Sequence, residues 1–182
     1  MCLVLPEPPL HFSVIFAIVA PNLGLKRALL ISALALIPDL DVLFHIHRSM
    51  SHSLFILVLA YSPFLVVTYR FKPEYFKLAI YGLLALLSHP VMDCFQTYTP
   101  ILYPLYDRSV WVNVEGSVLI SSSSLAPKVS ATVKDVPTVF REFETMDAPL
   151  FSSESLIVSI MLIAPTILFY LKSEGLIRRI RG

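Results

Sequence analysis

Apolar runs of about the length that crosses a bilayer recur along this chain, and that recurrence limits its folds more than any other feature. A hydrocarbon core takes roughly 20 apolar residues in helical form. In lipid every backbone N–H and C=O needs an internal partner, so long continuous apolar runs read as helices. Such runs cover residues 10–20, 25–37, 53–69, 75–92 and 156–171. The first two are short for full spans at about 1.5 Å rise per residue. They are separated by Pro21, Asn22 and Gly24 and stopped at Pro38, so they read as a tight helical hairpin. Only 15% of the 182 residues are charged, where soluble domains carry about 25%. The expected fold class is therefore mainly α: a polytopic transmembrane helical bundle of about five helices with a small extramembrane β-containing insertion.

That insertion is the one stretch of different character. Residues 107–154 hold most of the acidic residues and the run Ser121, Ser122, Ser123, Ser124, read as a polar loop. Val110, Val112 and Val114 alternate with other residues, Glu115-Gly116 interrupts, and Val118 and Ile120 continue, the pattern of a short β-hairpin. Residues 129–133 are expected to add a strand. The chain thus divides into a helical membrane domain (1–106), the insertion (107–154), and a final spanning helix with a basic tail (155–182).

Charge near the span ends sets the expected orientation. Lys172, Arg178, Arg179 and Arg181 put the C-terminus in the cytoplasm. Arg70, Lys72 and Lys77, and also Lys26 and Arg27, put two further connections on the same side. Five crossings then leave the N-terminus, the 38–52 loop and the insertion on the extracytoplasmic side. A formal net charge of +1 gives no bias toward nucleic acid. Cys2 and Cys94 make no disulfide framework, and the start lacks the basic n-region of a signal peptide.

On this topology the ionisable residues converge. His11 lies at the outer end of the first helix, and Asp39 and Asp41 follow the helix-stopping Pro38. His45, His47 and Arg48 lie in the outer loop, His52 opens the third span, and His89 and Asp93 end the fourth. Ionisable groups at membrane depth are costly and by default functional. His89 and Asp93 are four residues apart, so on a helix they share one face. Imidazole mixed with carboxylate suits a divalent ion such as Zn, Mn or Fe, one or two in number. The candidate metal ligands are His11, Asp39, Asp41, His47, His52, His89 and Asp93; Asp41 and Arg48 are the candidate catalytic residues. Plainer readings stand beside these. His11 alone fits an interfacial polar residue, and His45 a solvated loop residue. Asp39 and Asp41 fit helix caps or Asx turns, and His89 with Asp93 fits a buried hydrogen-bonded pair. Arg48 could pair with an aspartate or hold an anionic substrate. Tyr98, Tyr103, Tyr106 and Trp111 read as an interfacial aromatic belt.

Three motifs in order, Pro38-Asp39-Leu40-Asp41, His47-Arg48-Ser49-Met50-Ser51-His52-Ser53 and Ser88-His89-Pro90-Val91-Met92-Asp93, resemble those of the YdjM-like, LexA-regulated membrane-bound metal-dependent hydrolases of bacterial inner membranes. The motif match covers roughly residues 10–110, with His11 matching that family's N-terminal histidine. Ser49 stands where the family often has Gly, and Ser51 where it has Thr; residues 107–154 lie outside the motifs. The resemblance implies hydrolysis. The expected function is a metal-activated water attacking a lipid or lipid-linked phosphoester, with membrane lipids as neighbours and no nucleic-acid partner. The rival readings are a divalent-cation transporter and a metal-stabilised non-enzymatic membrane protein.

Overall fold

The computed structural model describes residues 7–46, 48–120, 125–145 and 150–181, with side chains as far as 172. Helix α1 spans Pro8–Leu23. Proline suits its first turn, where N–H groups have no intrahelical partner. The helix runs through Pro21, expected to belong to the break, and ends instead at Gly24. Gly24 adopts φ +77°, which glycine reaches without a Cβ clash. Its N–H bonds to the Ala20 carbonyl at 3.0 Å.

Helix α2 (Leu25–Leu34) packs back on α1 and stops three residues earlier than expected. Pro38 lies just beyond, with no N–H to continue the ladder. The chain tightens: the N–H groups of Ala35, Leu36 and Ile37 each bond three residues back at 3.1 Å. It then enters a 3₁₀ helix over Pro38–Phe44, where an open loop was expected. A second short 3₁₀ turn, Met50–His52, leads into α3. The core beneath is formed by Ile15, Phe16, Val19 and Ala20 of α1, Ala28 and Ile31 of α2, Ala35, and Ala85 of the fourth helix.

Helices α3 (Leu54–Phe71) and α4 (Pro73–Cys94) form a hairpin through Lys72, and α5 runs over Ser153–Arg181. Ser53 caps α3, accepting from the Ile56 N–H at 3.4 Å. Three segments, Leu54–Phe71, Pro73–Cys94 and Ser153–Lys172, are long and apolar enough to cross a membrane. The bundle of about five spanning helices is thus met by three. The shortfall lies in α1 with 16 residues and α2 with 10, cut short by Gly24 and Pro38. Val58, Leu59, Phe64, Val66 and Val67 of α3 are exposed. In water such a surface would be a liability, whereas lipid solvates it.

The insertion is a two-stranded antiparallel ribbon, β1 (Arg108–Ile120) with β2 (Leu125–Pro137). This corrects the expected hairpin turn at Glu115-Gly116. Gly116 is no positive-φ residue and pairs within the ladder opposite Val129, so the strand runs straight through it. Residues 129–133 belong to β2, not to a third strand. The Ser121–Ser124 run falls between the strands and outside the described residues. The base of the ribbon is fixed to the bundle by a bridge between Thr99 and Val110. A second bridge, Ile46 with Glu142, fixes the chain that follows β2.

Contacts distant in sequence gather the elements at one end. Leu54 N–H bonds the Ile101 carbonyl at 2.9 Å. The Glu7 carboxylate accepts from the Ser152 N–H and the Ser155 hydroxyl at the start of α5. Ser13 Oγ donates to Ser159 Oγ at 3.2 Å. So the starts of α1, α3 and α5 share the end of the bundle that also holds the ribbon.

Gly82 and Gly116 should behave oppositely. A Cβ on Gly82 would stand 2.4 Å from the Tyr61 hydroxyl and 3.1 Å from Leu34, whereas one on Gly116 meets nothing within 4 Å. Gly82→Leu is expected to destabilise the protein by about 1–3 kcal/mol, and Gly116→Ala to stay within about 0.5 kcal/mol of the parent. Thermal melting in detergent, followed by circular dichroism, checks both.

Candidate metal centre

Each short element near this end brings one or two polar side chains to a common point. The first turn of α1 brings His11, the 3₁₀ helix after Pro38 brings Asp39, the 3₁₀ turn before α3 brings His52, and the last turns of α4 bring His89 and Asp93. His11, His52 and His89 are fully buried and Asp93 nearly so. Asp39 is the most open of the five, its side chain 25% exposed.

Four donor atoms close a ring. Asp39 Oδ1 is 3.6 Å from His52 Nε2, which is 3.4 Å from Asp93 Oδ2. Asp93 Oδ2 is 3.7 Å from His89 Nε2, and that atom is 3.2 Å from Asp39 Oδ1. The other Asp93 oxygen lies 3.2 Å from His11 Nε2. These separations are long for charge-assisted hydrogen bonds, which run about 2.7–2.9 Å. They suit metal ligation, since two ligands at roughly 2.1 Å subtending a tetrahedral angle lie about 3.4 Å apart. Two overlapping groups, His11 with His89 and Asp93, and Asp39 with His52 and His89, could each hold an ion. One imidazole nitrogen has a single lone pair, so His89 can serve only one ion at a time. Asp93, with an oxygen facing each group, is the residue able to bridge.

The rings are held so that the right nitrogen faces inward. His89 Nδ1 donates to the Ala35 carbonyl at 2.7 Å, leaving Nε2 toward the cluster. That carbonyl is free to accept because α2 has already ended. His52 Nδ1 lies 3.0 Å from Ser51 Oγ and 3.3 Å from Asp41 Oδ2. Asp41 Oδ2 in turn accepts from the Ser49 N–H at 2.7 Å and the Ser51 hydroxyl at 3.0 Å. A carbonyl or carboxylate behind a ligating imidazole fixes its tautomer and raises its basicity. His11 stacks on His89 with centroids 3.9 Å apart. Neither ring nitrogen of His11, nor His89 Nε2, has a hydrogen-bond partner among the described residues. Buried polar atoms are rarely left so, and an ion is the kind of partner that satisfies them. On chemistry, spacing and unmet valence, the residues fit a divalent metal.

The electrostatics agree with a tightly packed mixed-charge cluster. Burial opposes charge on both Asp39 and His52, but their mutual contacts outweigh it. The facing imidazoles of His52 and His89 hold the Asp39 carboxyl well below the usual carboxylate range. Asp39 and Asp41 raise His52 to about 9.

Of the residues expected from sequence, His11, Asp39, His52, His89 and Asp93 come together. Asp41 does not join their ring; its Oδ2 stands behind His52, 3.3 Å from Nδ1. His47 lies outside the described residues. Arg48 borders the cluster, its Nε 3.6 Å from Asp93 Oδ2. His45 is exposed, and its ring stacks on Phe143 at 5.8 Å. The expected aromatic belt residues pack around the ribbon: Tyr98 edge-on to Trp111 at 5.6 Å, Tyr103 edge-on to Phe140 at 5.1 Å, and the Tyr106 hydroxyl donating to Asp135 at 2.8 Å. Sequence reasoning missed the Ala35 carbonyl and the Ser49–Ser51 cradle. The hydroxyl at 51, supplied by Thr in the resembling motif, was the available signal.

Residues 11–171 match the YdjM inner membrane protein family. The span takes in every described ligand candidate, the ribbon and most of α5, so the chain belongs to this family, as the motif resemblance implied. No curated protein and no solved structure gives a significant match.

Removing a ring donor should differ from removing a support. His89→Gln and Asp93→Asn are expected to abolish stoichiometric metal in the purified protein. Asp41→Asn should retain metal at about 10–100-fold lower affinity. Elemental analysis and competition with a chromogenic chelator measure the two effects.

Proposed function

From membership of the YdjM inner membrane protein family, we propose that this chain is a membrane-embedded metal-dependent hydrolase. The observation that carries the reading is the closed ring of Asp39, His52, Asp93 and His89, with ring sides of 3.2–3.7 Å and an arginine at its border. A resident divalent ion, with Zn favoured and Mn or Fe acceptable to this donor set, supplies Lewis acidity that makes water nucleophilic at neutral pH. Asp39, His52 and His89 would hold one ion; His11 and Asp93 are the residues left for a second.

The chain's own groups divide the remaining work. Asp41, buried and engaged by Ser49 and Ser51, keeps His52 in register. Asp39, the most accessible carboxylate of the ring, would hold the ion on its open side. Arg48 offers its guanidinium to an anionic group of the substrate. A lipid or lipid-linked phosphoester is the substrate class, because the cluster lies at helix ends, the level at which a bilayer around these helices would place its headgroups. The extracytoplasmic face is favoured by loop charge. Lys26 and Arg27, and Arg70 and Lys72, sit at the helix ends opposite the cluster.

Transport of a divalent cation is the weaker reading. A path would need polar groups through the bundle, yet residues 54–69, 79–88 and 155–171 contain no Asp, Glu, Lys, Arg or His.

Purified protein in maltoside, assayed for metal and then against a panel of esters and phosphoesters, tests the proposal. Turnover should fall at least about 10²-fold in kcat/KM for Asp39→Asn, together with loss of metal, and about ten- to hundredfold for Arg48→Gln. Protein that carries no metal after mild extraction sinks the hydrolase. Metal that raises the melting temperature without any turnover would favour a structural ion.

A further inference from the structure

Beside the cluster, on the ribbon side, lies a cavity of about 350 Å³ that the proposed chemistry has not yet used. Its wall includes Arg48, Tyr98, Ser109, Thr138, Phe140 and Arg141. The volume falls at the lower end of small-ligand sites, about 300–1,000 Å³. Two guanidinium groups line this one space. Arg48 also faces the cluster through the 3.6 Å approach to Asp93, so the cavity adjoins the ring of donors.

Arg141 is brought here by a specific piece of folding. The Thr138 N–H bonds the Asp107 carbonyl at 2.8 Å, and the Phe143 N–H bonds the His45 carbonyl at 2.9 Å. The Ile46–Glu142 bridge and the His45–Phe143 stack reinforce the second attachment. Residues 138–143 are thereby strapped across the loop that carries Arg48. On the other side, Arg48 itself sits at φ +57°, a left-handed conformation uncommon for a non-glycine residue. Held strain of this kind clusters at functional sites.

Arg48 has Asp93 as its ion-pair partner, and Arg141 is exposed beside the same space. Arg141 makes no ion pair among the described residues, and Arg48 Nε has no hydrogen-bond partner there. Two cationic side chains beside one space raise the local positive potential and favour an anion there. Arginine's planar fork matches phosphate oxygens two at a time. Ser109 and Thr138, linked through their hydroxyls at 3.1 Å, add neutral polar groups to the same wall.

We propose that the Arg48–Arg141 cavity binds the phosphate group of the substrate, with the strap at 138–143 acting as a specificity element supplied by the ribbon. The proposal rests on the hydrolase reading only for the position of the scissile bond; the anion site itself needs no metal. A free phosphate monoester and a lipid headgroup share this chemistry.

The test uses the full chain in maltoside, stripped with chelator, and titrated by calorimetry with inorganic phosphate. A second arm uses dihexanoyl phosphatidic acid, with dihexanoyl phosphatidylcholine as comparison. Arg141→Gln is expected to weaken phosphate binding about tenfold, the loss of one charge-assisted contact. Its metal content and melting temperature should match the parent, and Arg141→Lys should recover part of the affinity. Phosphatidate binding more tightly than phosphate would support a lipid headgroup as source, and equal affinity the phosphate group alone. A parent protein that binds neither probe overturns the proposal, as does an Arg141→Gln variant that binds both as tightly as the parent. Failure of the hydrolase reading looks different: phosphate binding would remain, sensitive to Arg141, while no ester is turned over.

Discussion

Three imidazoles and two carboxylates are packed together at the end of an apolar bundle, and the surrounding structure follows from what that burial costs. Buried charges and unsatisfied polar atoms each cost several kcal/mol unless they are partnered. The neighbouring elements read as answers to that cost. Helix α2 ends early and leaves a carbonyl for His89. The 3₁₀ helix after Pro38 turns Asp39 inward and Asp41 behind His52. Ser49 and Ser51 occupy Asp41. What remains without a hydrogen bond among the described residues, at His11 Nε2 and His89 Nε2, lies against the carboxylates of Asp93 and Asp39, where an ion would be held. Stability and chemistry are therefore coupled here, because the atoms that need a partner are those that would hold the metal.

Much of this was legible in the chain. Long apolar runs announced α3, α4 and α5, and the i,i+4 spacing of His89 and Asp93 placed both on one face of α4. The convergence of His11, Asp39, His52, His89 and Asp93 followed from assigning helix ends to one level. That assignment survived although α1 and α2 proved short for spans, because it depended on which ends meet rather than on how far each helix reaches.

The unread parts share a cause. Asp39 and Asp41 differ by two positions, and whether each faces the ring or its back is decided by the tightening that Pro38 imposes. Spacing alone carries no such information. The Ala35 carbonyl is a backbone atom, so no residue type advertises it. Glu115-Gly116 carries turn-like residues, yet neighbouring strand pairing held Gly116 extended. Arg141 lies ninety-three positions from Arg48, and only the ribbon's return path joins them.

The contacts tying α1 to α5 set an order of assembly. Glu7 and Ser13 find their partners at Ser152, Ser155 and Ser159, about 145 residues later. A chain made from its N-terminus exposes α1, with His11 on one side and an open seam on the other, until nearly all of it exists. Helices α2, α3 and α4 can gather around His11 early, because their contacts are nearer in sequence. The last helix completes the packing of the first, which α2 and α4 also hold. Docking of α5 on α1 is thus a late event in assembly, set by the slow search for long-range contacts.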